Sequence, residues 1–140
     1  MQGLTPDRPA RSDRAFVTLV TNADYALGAK ALVRSIVLSG TQADICVLHT
    51  DVAEAELAPL TALGARLVRC ELLPTSPEFN ATHAKDALHG RAAFTKGGKP
   101  PFHTPLDNFA KLRLWQLDYK RVVFIDADAL VALQSYDWPG

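Results

Sequence analysis

Three short apolar runs, residues 16–20, 45–49 and 66–70, recur with helix-like segments between them, and this alternation limits the fold more than any other feature of the chain. Mainly apolar runs of that length are what strands covered on both faces look like. Strands joined through single helices come out parallel, because each crossover returns the chain to the same end of the sheet. The expected class is therefore α/β: a Rossmann-like, mostly parallel sheet with flanking helices.

The connecting segments carry helix start and stop signals. After the first run, Asn22 or Asp24 can cap a helix whose apolar positions Leu27, Ala31, Leu32 and Ile36 recur at helical spacing, and Gly40 ends it. After the second, Asp51 with Glu54 three residues on reads as a capping box ahead of Leu57, Leu60 and Leu63. Pro59 is expected to kink or restart that helix, and Gly64 to close it. Residues 1–14 are rich in Arg, Asp and Pro without periodicity, so they read as a flexible leader outside the core, with the domain occupying residues 15–140.

Regularity breaks between Leu73 and Leu106, where prolines and glycines cluster. Connections that long in compact domains are usually functional or mobile. This one holds His83, His89 and His103 with Lys85, Arg91, Lys96 and Lys99, a cationic stretch suited to closing over phosphate, although the spacings match no standard metal motif. A following helix, capped by Asp107 or Asn108, places Phe109, Leu112 and Trp115 on one stripe, with Lys111 and Arg113 off it.

The fourth apolar run, residues 121–125, leads into Asp126, Ala127 and Asp128. Read as a buried parallel strand, it delivers two carboxylates spaced i and i+2 to one side just past its end. That end is where open α/β sheets bind ligands. Adjacent carboxylates repel unless a cation or a proton sits between them, so a divalent metal site is the natural functional reading. A solvated strand-to-loop turn is the structural alternative.

Charge and composition exclude several classes. Lys and Arg total 15 and so do Asp and Glu, leaving no net basic field to hold nucleic acid or an anionic membrane surface. No apolar run is long enough to span a bilayer, and the first residues lack the apolar core of a secretory signal, which makes cytoplasmic residence the default expectation. Cys46 and Cys70 each lie inside an apolar run and read as buried free thiols.

Taken together, residues 16–25 (Phe-Val-Thr-Leu-Val-Thr-Asn-Ala-Asp-Tyr), 110–115 (Ala-Lys-Leu-Arg-Leu-Trp) and 124–128 (Phe-Ile-Asp-Ala-Asp) resemble glycosyltransferase family 8, which includes glycogenin, galactinol synthase and bacterial lipopolysaccharide glycosyltransferases. The resemblance runs from Ala15 to about Asp137 and implies the nucleotide-binding half of a GT-A-type domain. It implies that Leu19, Thr21, Asn22 and Tyr25 hold the uridine and ribose, with Tyr25 stacking on or flanking the base. Lys111 resembles the basic residue that contacts the donor. Asp126 and Asp128 match the family's DxD motif, which holds Mn2+ (or Mg2+) against the diphosphate, with Ala127 near the ribose. Oxygen ligands suit such ions.

The activity so implied is retaining transfer of a sugar, glucose or galactose, from a UDP-sugar donor to a glycan, lipid, polyol or protein acceptor. No nucleophile or base is assigned. Family members continue well beyond the DxD strand, so the chain is expected to be truncated there, to expose apolar sheet surface and to self-associate. Two other readings stand beside the enzyme. One is a UDP-sugar-binding module without turnover. The other is a haloacid-dehalogenase-type phosphatase, against which chain order argues, since in that class the Asp-x-Asp strand opens the domain.

Overall fold

The computed structural model describes residues 3–74, 76–83 and 109–132. Five strands, β1 (Leu4–Pro6), β2 (Arg14–Val20), β3 (Asp44–His49), β4 (Arg66–Cys70) and β5 (Arg121–Phe124), form one mixed sheet in the order β1-β4-β3-β2-β5. The pairs β2·β3, β3·β4 and β2·β5 are parallel, and β1 runs antiparallel to β4. From β2 the chain steps to β3 and β4 on one side, then returns to lay β5 on the other. That reversal makes the C-terminal ends of β2 and β5 the switch point of the sheet.

Both faces of the central strands are covered, which is why their sequences show no polar alternation. On one face Val20, Ile45, Val47 and Leu67 pack with Leu32, Val33 and Ile36 of α1 (Ala23–Leu38) and with Leu57 and Leu60 of α2 (Glu54–Ala62). On the other, Val17, Leu19, Cys46, Leu48 and Val68 pack with Leu4, Ala110 and Leu117. Each fully buried Leu or Val here contributes about 1.5–3 kcal/mol relative to exposure. Gly40 and Gly64 end the two helices at φ +74° and +98°, where a side chain would be strained.

Several expectations need correction. Residues 1–14 do not stand wholly apart from the core: β1 pairs Leu4 with Cys70, and Leu4 is buried, because the outer edge of β4 offers unpaired backbone and an apolar pocket. In α1 the inward stripe is Ala26, Ala29, Leu32, Val33 and Ile36, while Leu27 and Ala31 face solvent. The capping box does not form; Ala53 is the N-cap of α2 and makes no side-chain cap bond. Pro59 sits inside α2, which continues to Ala62.

The long connection is also more ordered at its start than expected, with a short helix α3 (Pro77–His83) whose Phe79 packs against Phe109 at a ring separation of 5.4 Å. The side chain of His83 and all of residues 84–108 lie outside the described residues, and with them His89, His103, Lys85, Arg91, Lys96, Lys99 and the Asp107 or Asn108 cap.

The segment Phe109–Gln116 is a 3-10 helix. At three residues per turn, positions three apart eclipse. Ala110 and Arg113 therefore share the inward row, while Leu112 and Trp115 share an outward one, Trp115 at 81% exposure. Strand β5 is the edge of the described sheet and is only half covered, Val123 being exposed, which replaces the fully buried strand expected from its composition.

The chain's only cysteines, Cys46 and Cys70, are buried free thiols. Burial pushes the Cys46 thiol up to about 12 and raises that of Cys70 as well. Neither should therefore react with an alkylating reagent at about pH 8 in the native chain, and both should react in denaturant. Rapid native labelling of either one would mean that its face of the sheet opens to solvent.

Candidate functional site

Strand β2 ends at Val20, and Asn22 begins α1 by accepting the Tyr25 backbone N–H on Oδ1 at 3.0 Å. This cap fixes the turn between strand and helix, so Leu19, Thr21 and Tyr25 reach the switch point from one side. From the other side comes the turn after β5. The Ile125 N–H donates to the Val17 carbonyl at 2.9 Å, and the Ala129 N–H closes a turn on the Asp126 carbonyl at 3.0 Å. Ala127 is buried in the α1-side core, while Asp126 and Asp128 are exposed on either side of it.

Leu19, Thr21, Tyr25, Lys111, Phe124, Asp126, Ala127 and Asp128 line one cleft of about 190 Å³. Seven of the eight residues expected to hold the donor thus come together. Asn22 is the eighth: it does not line the cleft, its Oδ1 being engaged by the helix cap, and its Nδ2 is buried with no hydrogen-bond partner among the described residues. Phe124 is an addition. The parity that puts Asp126 on one side of the β5 path puts Phe124 there too, and this was the available signal.

Lys111 Nζ donates to Asp126 Oδ1 at 3.1 Å and stands 5.2 Å from the centre of the Phe124 ring. Asp126 is 63% exposed, so this ion pair contributes at most about 1 kcal/mol and readily exchanges for another cation. Among the described residues no group of three or more His, Cys, Asp or Glu gathers to hold a metal by itself. Two carboxylates on an open cleft nevertheless suit a hard divalent ion whose remaining ligands are phosphate and water, and the ammonium group beside Asp126 shows that the position takes positive charge.

A larger hollow of about 920 Å³ lies between α2, β1 and β4, lined by Asp7, His49, Asp51, Glu54 and Arg69 among others. It sits away from the switch point, and Asp51 there faces Arg69 at 4.0 Å. Size alone does not make it the better site. The smaller cleft joins an aromatic, a cation and a carboxylate pair at the place where this topology binds ligands.

The profile of the family described as "Glycosyl transferase family 8" matches residues 16–137. The chain belongs to glycosyltransferase family 8. It is 32% identical over 127 residues to UDP-glucuronate:xylan alpha-glucuronosyltransferase 2 of Arabidopsis thaliana, covering 89% of this chain and 17% of that protein. It is 34% identical over 120 residues to "Putative UDP-glucuronate:xylan alpha-glucuronosyltransferase 5" of the same organism, covering 84% of this chain and 18% of that protein. The chain thus spans under a fifth of the length of these relatives. Family 8 is a family of transferases, and the chain's five-stranded sheet with flanking helices is consistent with the GT-A-like class. Membership also sets aside the phosphatase alternative. Among the described residues no helix is long and apolar enough to cross a membrane.

Proposed function

We propose that the chain carries the donor-binding half of a retaining UDP-sugar glycosyltransferase, with the sugar nucleotide lying across the cleft between α1 and the turn after β5. The observation that carries this reading is the convergence of Tyr25, Lys111 and the Asp126/Asp128 pair on that one cleft. Its volume is below the several hundred cubic ångströms of a complete ligand pocket, so it takes part of a nucleotide sugar, the base and diphosphate, rather than all of it.

Each lining residue then has a task. The Tyr25 ring offers a face for the uracil, and Leu19 and Thr21 close the strand-to-helix turn beneath the nucleoside. Asp126 and Asp128 hold a divalent ion, Mn2+ or Mg2+, which when bound supplies Lewis-acid charge to the UDP leaving group. Lys111 exchanges its Asp126 contact for a phosphate oxygen and adds a second positive charge there. The relatives' names add UDP-glucuronate as a donor to the UDP-glucose and UDP-galactose implied by the family resemblance, and xylan, a glycan, as an acceptor.

Titration of UDP, the three UDP-sugars and ADP-glucose in the presence of Mn2+ tests the proposal. Binding of the uridine nucleotides over ADP-glucose is the expected result, and no binding of any uridine nucleotide would overturn it. A UDP-release assay with xylan separates turnover from binding without turnover. Tyr25→Ala is expected to weaken UDP by about 1–3 kcal/mol, the range for a lost base stack, with the melting temperature little changed. A Tyr25→Ala chain that no longer folds would place this half-buried ring in the core instead.

A further inference from the structure

Gly28 lies inside α1 with an ordinary helical backbone, since the glycines of positive φ among the described residues are Gly3, Gly40 and Gly64. A glycine there is a poor helix former, and alanine would be better on propensity. Its conformation does not require glycine. What requires it is space: a Cβ at this position would stand 2.6 Å from the Ala127 carbonyl oxygen, 3.4 Å from the Ala127 carbonyl carbon and 3.8 Å from the Asp128 Cα. All three neighbours are backbone, so nothing can rotate away, and either helix or turn must shift by several tenths of an ångström.

Two turns further along α1, Ser35 Oγ accepts the Val131 N–H at 2.9 Å and donates to the Leu32 carbonyl at 2.6 Å. Ile125 and Val131 pack partly against the same core that buries Ala127. The carboxylate-bearing turn is therefore seated on α1 at two points, Gly28 and Ser35. One turn before Gly28, the same helix presents Tyr25 to the cleft.

We propose that Gly28 is a positioning residue: its missing Cβ sets the approach of the 126–128 turn to α1, and with it the gap between the Tyr25 ring and the Asp126/Asp128 pair. The idea rests on the UDP-sugar reading above. One rigid helix then holds the base-facing and metal-facing walls of the cleft in a fixed relation, with no loop needed to adjust them. A uridine diphosphate must span that gap, so widening it separates the two contacts while leaving each intact.

The test compares Gly28→Ala, Ser35→Ala and the unchanged chain by backbone amide spectra, by thermal melting, and by the affinities of uridine alone and of UDP with Mn2+. Gly28→Ala is expected to displace the amide signals of residues 127–129, to keep uridine affinity within about twofold, and to weaken Mn2+-dependent UDP binding by about tenfold. Ser35→Ala should release the Val131 amide and produce a smaller loss of the same kind. Equal loss of uridine and Mn2+-UDP affinity would show a merely structural role and overturn the proposal, as would Mn2+-UDP affinity unchanged in the face of displaced turn amides. An unchanged chain that binds neither ligand, with the amides still displaced by Gly28→Ala, would overturn the UDP-sugar reading and leave the seat on α1 without a ligand to position.

Discussion

Replacing Asp126 and Asp128 together by asparagine is expected to weaken UDP binding in the presence of Mn2+ on the order of 100-fold, because ligand loss costs at least as much as the outer-sphere losses seen at metal sites. The two carboxylates flank buried Ala127 on a turn that is exposed, so the substitution removes charge without opening the core. Without a cation, the diphosphate and the carboxylates repel one another across the cleft. Calorimetry with Mn2+ and with EDTA should show strong binding only in the first case for the unchanged chain, and weak binding in both for the double variant. Equal UDP affinity with and without EDTA would remove the metal role. Lys111→Ala sharpens the comparison, since it frees Asp126 Oδ1 from an ammonium at 3.1 Å. Mn2+ alone should bind that variant more tightly, while UDP with Mn2+ should bind it less tightly.

Much of this site was legible in the sequence because strand and turn chemistry leave local marks. An apolar run ending in Asp-x-Asp and a capped helix start are both readable within a few residues, and the first of them marked Asp126 and Asp128, whereas Tyr25 and Lys111 came forward only through the resemblance to family 8. Asn22 fits a helix cap and a ligand contact equally well by type, and the geometry shows the cap, with its Oδ1 on the Tyr25 N–H. The errors lie mostly where tertiary contacts decide. Helix α1 carries apolar residues nearly all round, so spacing alone did not decide between Leu27, which is 66% exposed, and Val33, which is buried. Arg113 faces inward because the segment winds as a 3-10 helix and because its guanidinium reaches the Glu71 carbonyl and Gln116. Leu4 gains its place from β4, more than sixty residues along the chain.

The least legible feature is the network around Arg66, whose partners are 52 and more residues away. Its guanidinium, 1% exposed, donates to both Asp118 carboxylate oxygens at 2.7 and 3.1 Å, to the Tyr119 hydroxyl at 3.2 Å and to the Arg8 carbonyl at 2.7 Å. The Tyr119 hydroxyl in turn donates a hydrogen bond to Asp44 Oδ2 at 2.9 Å, and the same oxygen accepts the Arg11 N–H. The network joins the chain before β2 to the start of β4 and to the turn that leads into β5. It thus ties down both ends of the path to Asp126 without touching the cleft.

The asymmetry of that pair leads to an expectation opposite to what exposure suggests. Asp118→Ala should cost about 3 kcal/mol, near the low end for breaking a buried ion pair, because it strands the charge of Arg66 inside the protein. The melting temperature should fall by about 10 °C. Arg66→Met, although it alters the more buried residue, should stay within about 1 kcal/mol of the unchanged chain, since methionine fills the space and Asp118, 43% exposed, can return to water. Hydrogen bonding from Arg66 holds the Asp118 carboxyl below its usual value of 3.8. Its contribution is therefore complete above that value and is lost as pH falls through the lowered one. Asp118→Asn should remove that part of the acid sensitivity while keeping one hydrogen bond to the guanidinium. Thermal melts of the three variants decide the matter: if Arg66→Met melts below Asp118→Ala, then packing and the Arg8 and Tyr119 contacts, and not a stranded charge, hold this end of the sheet together.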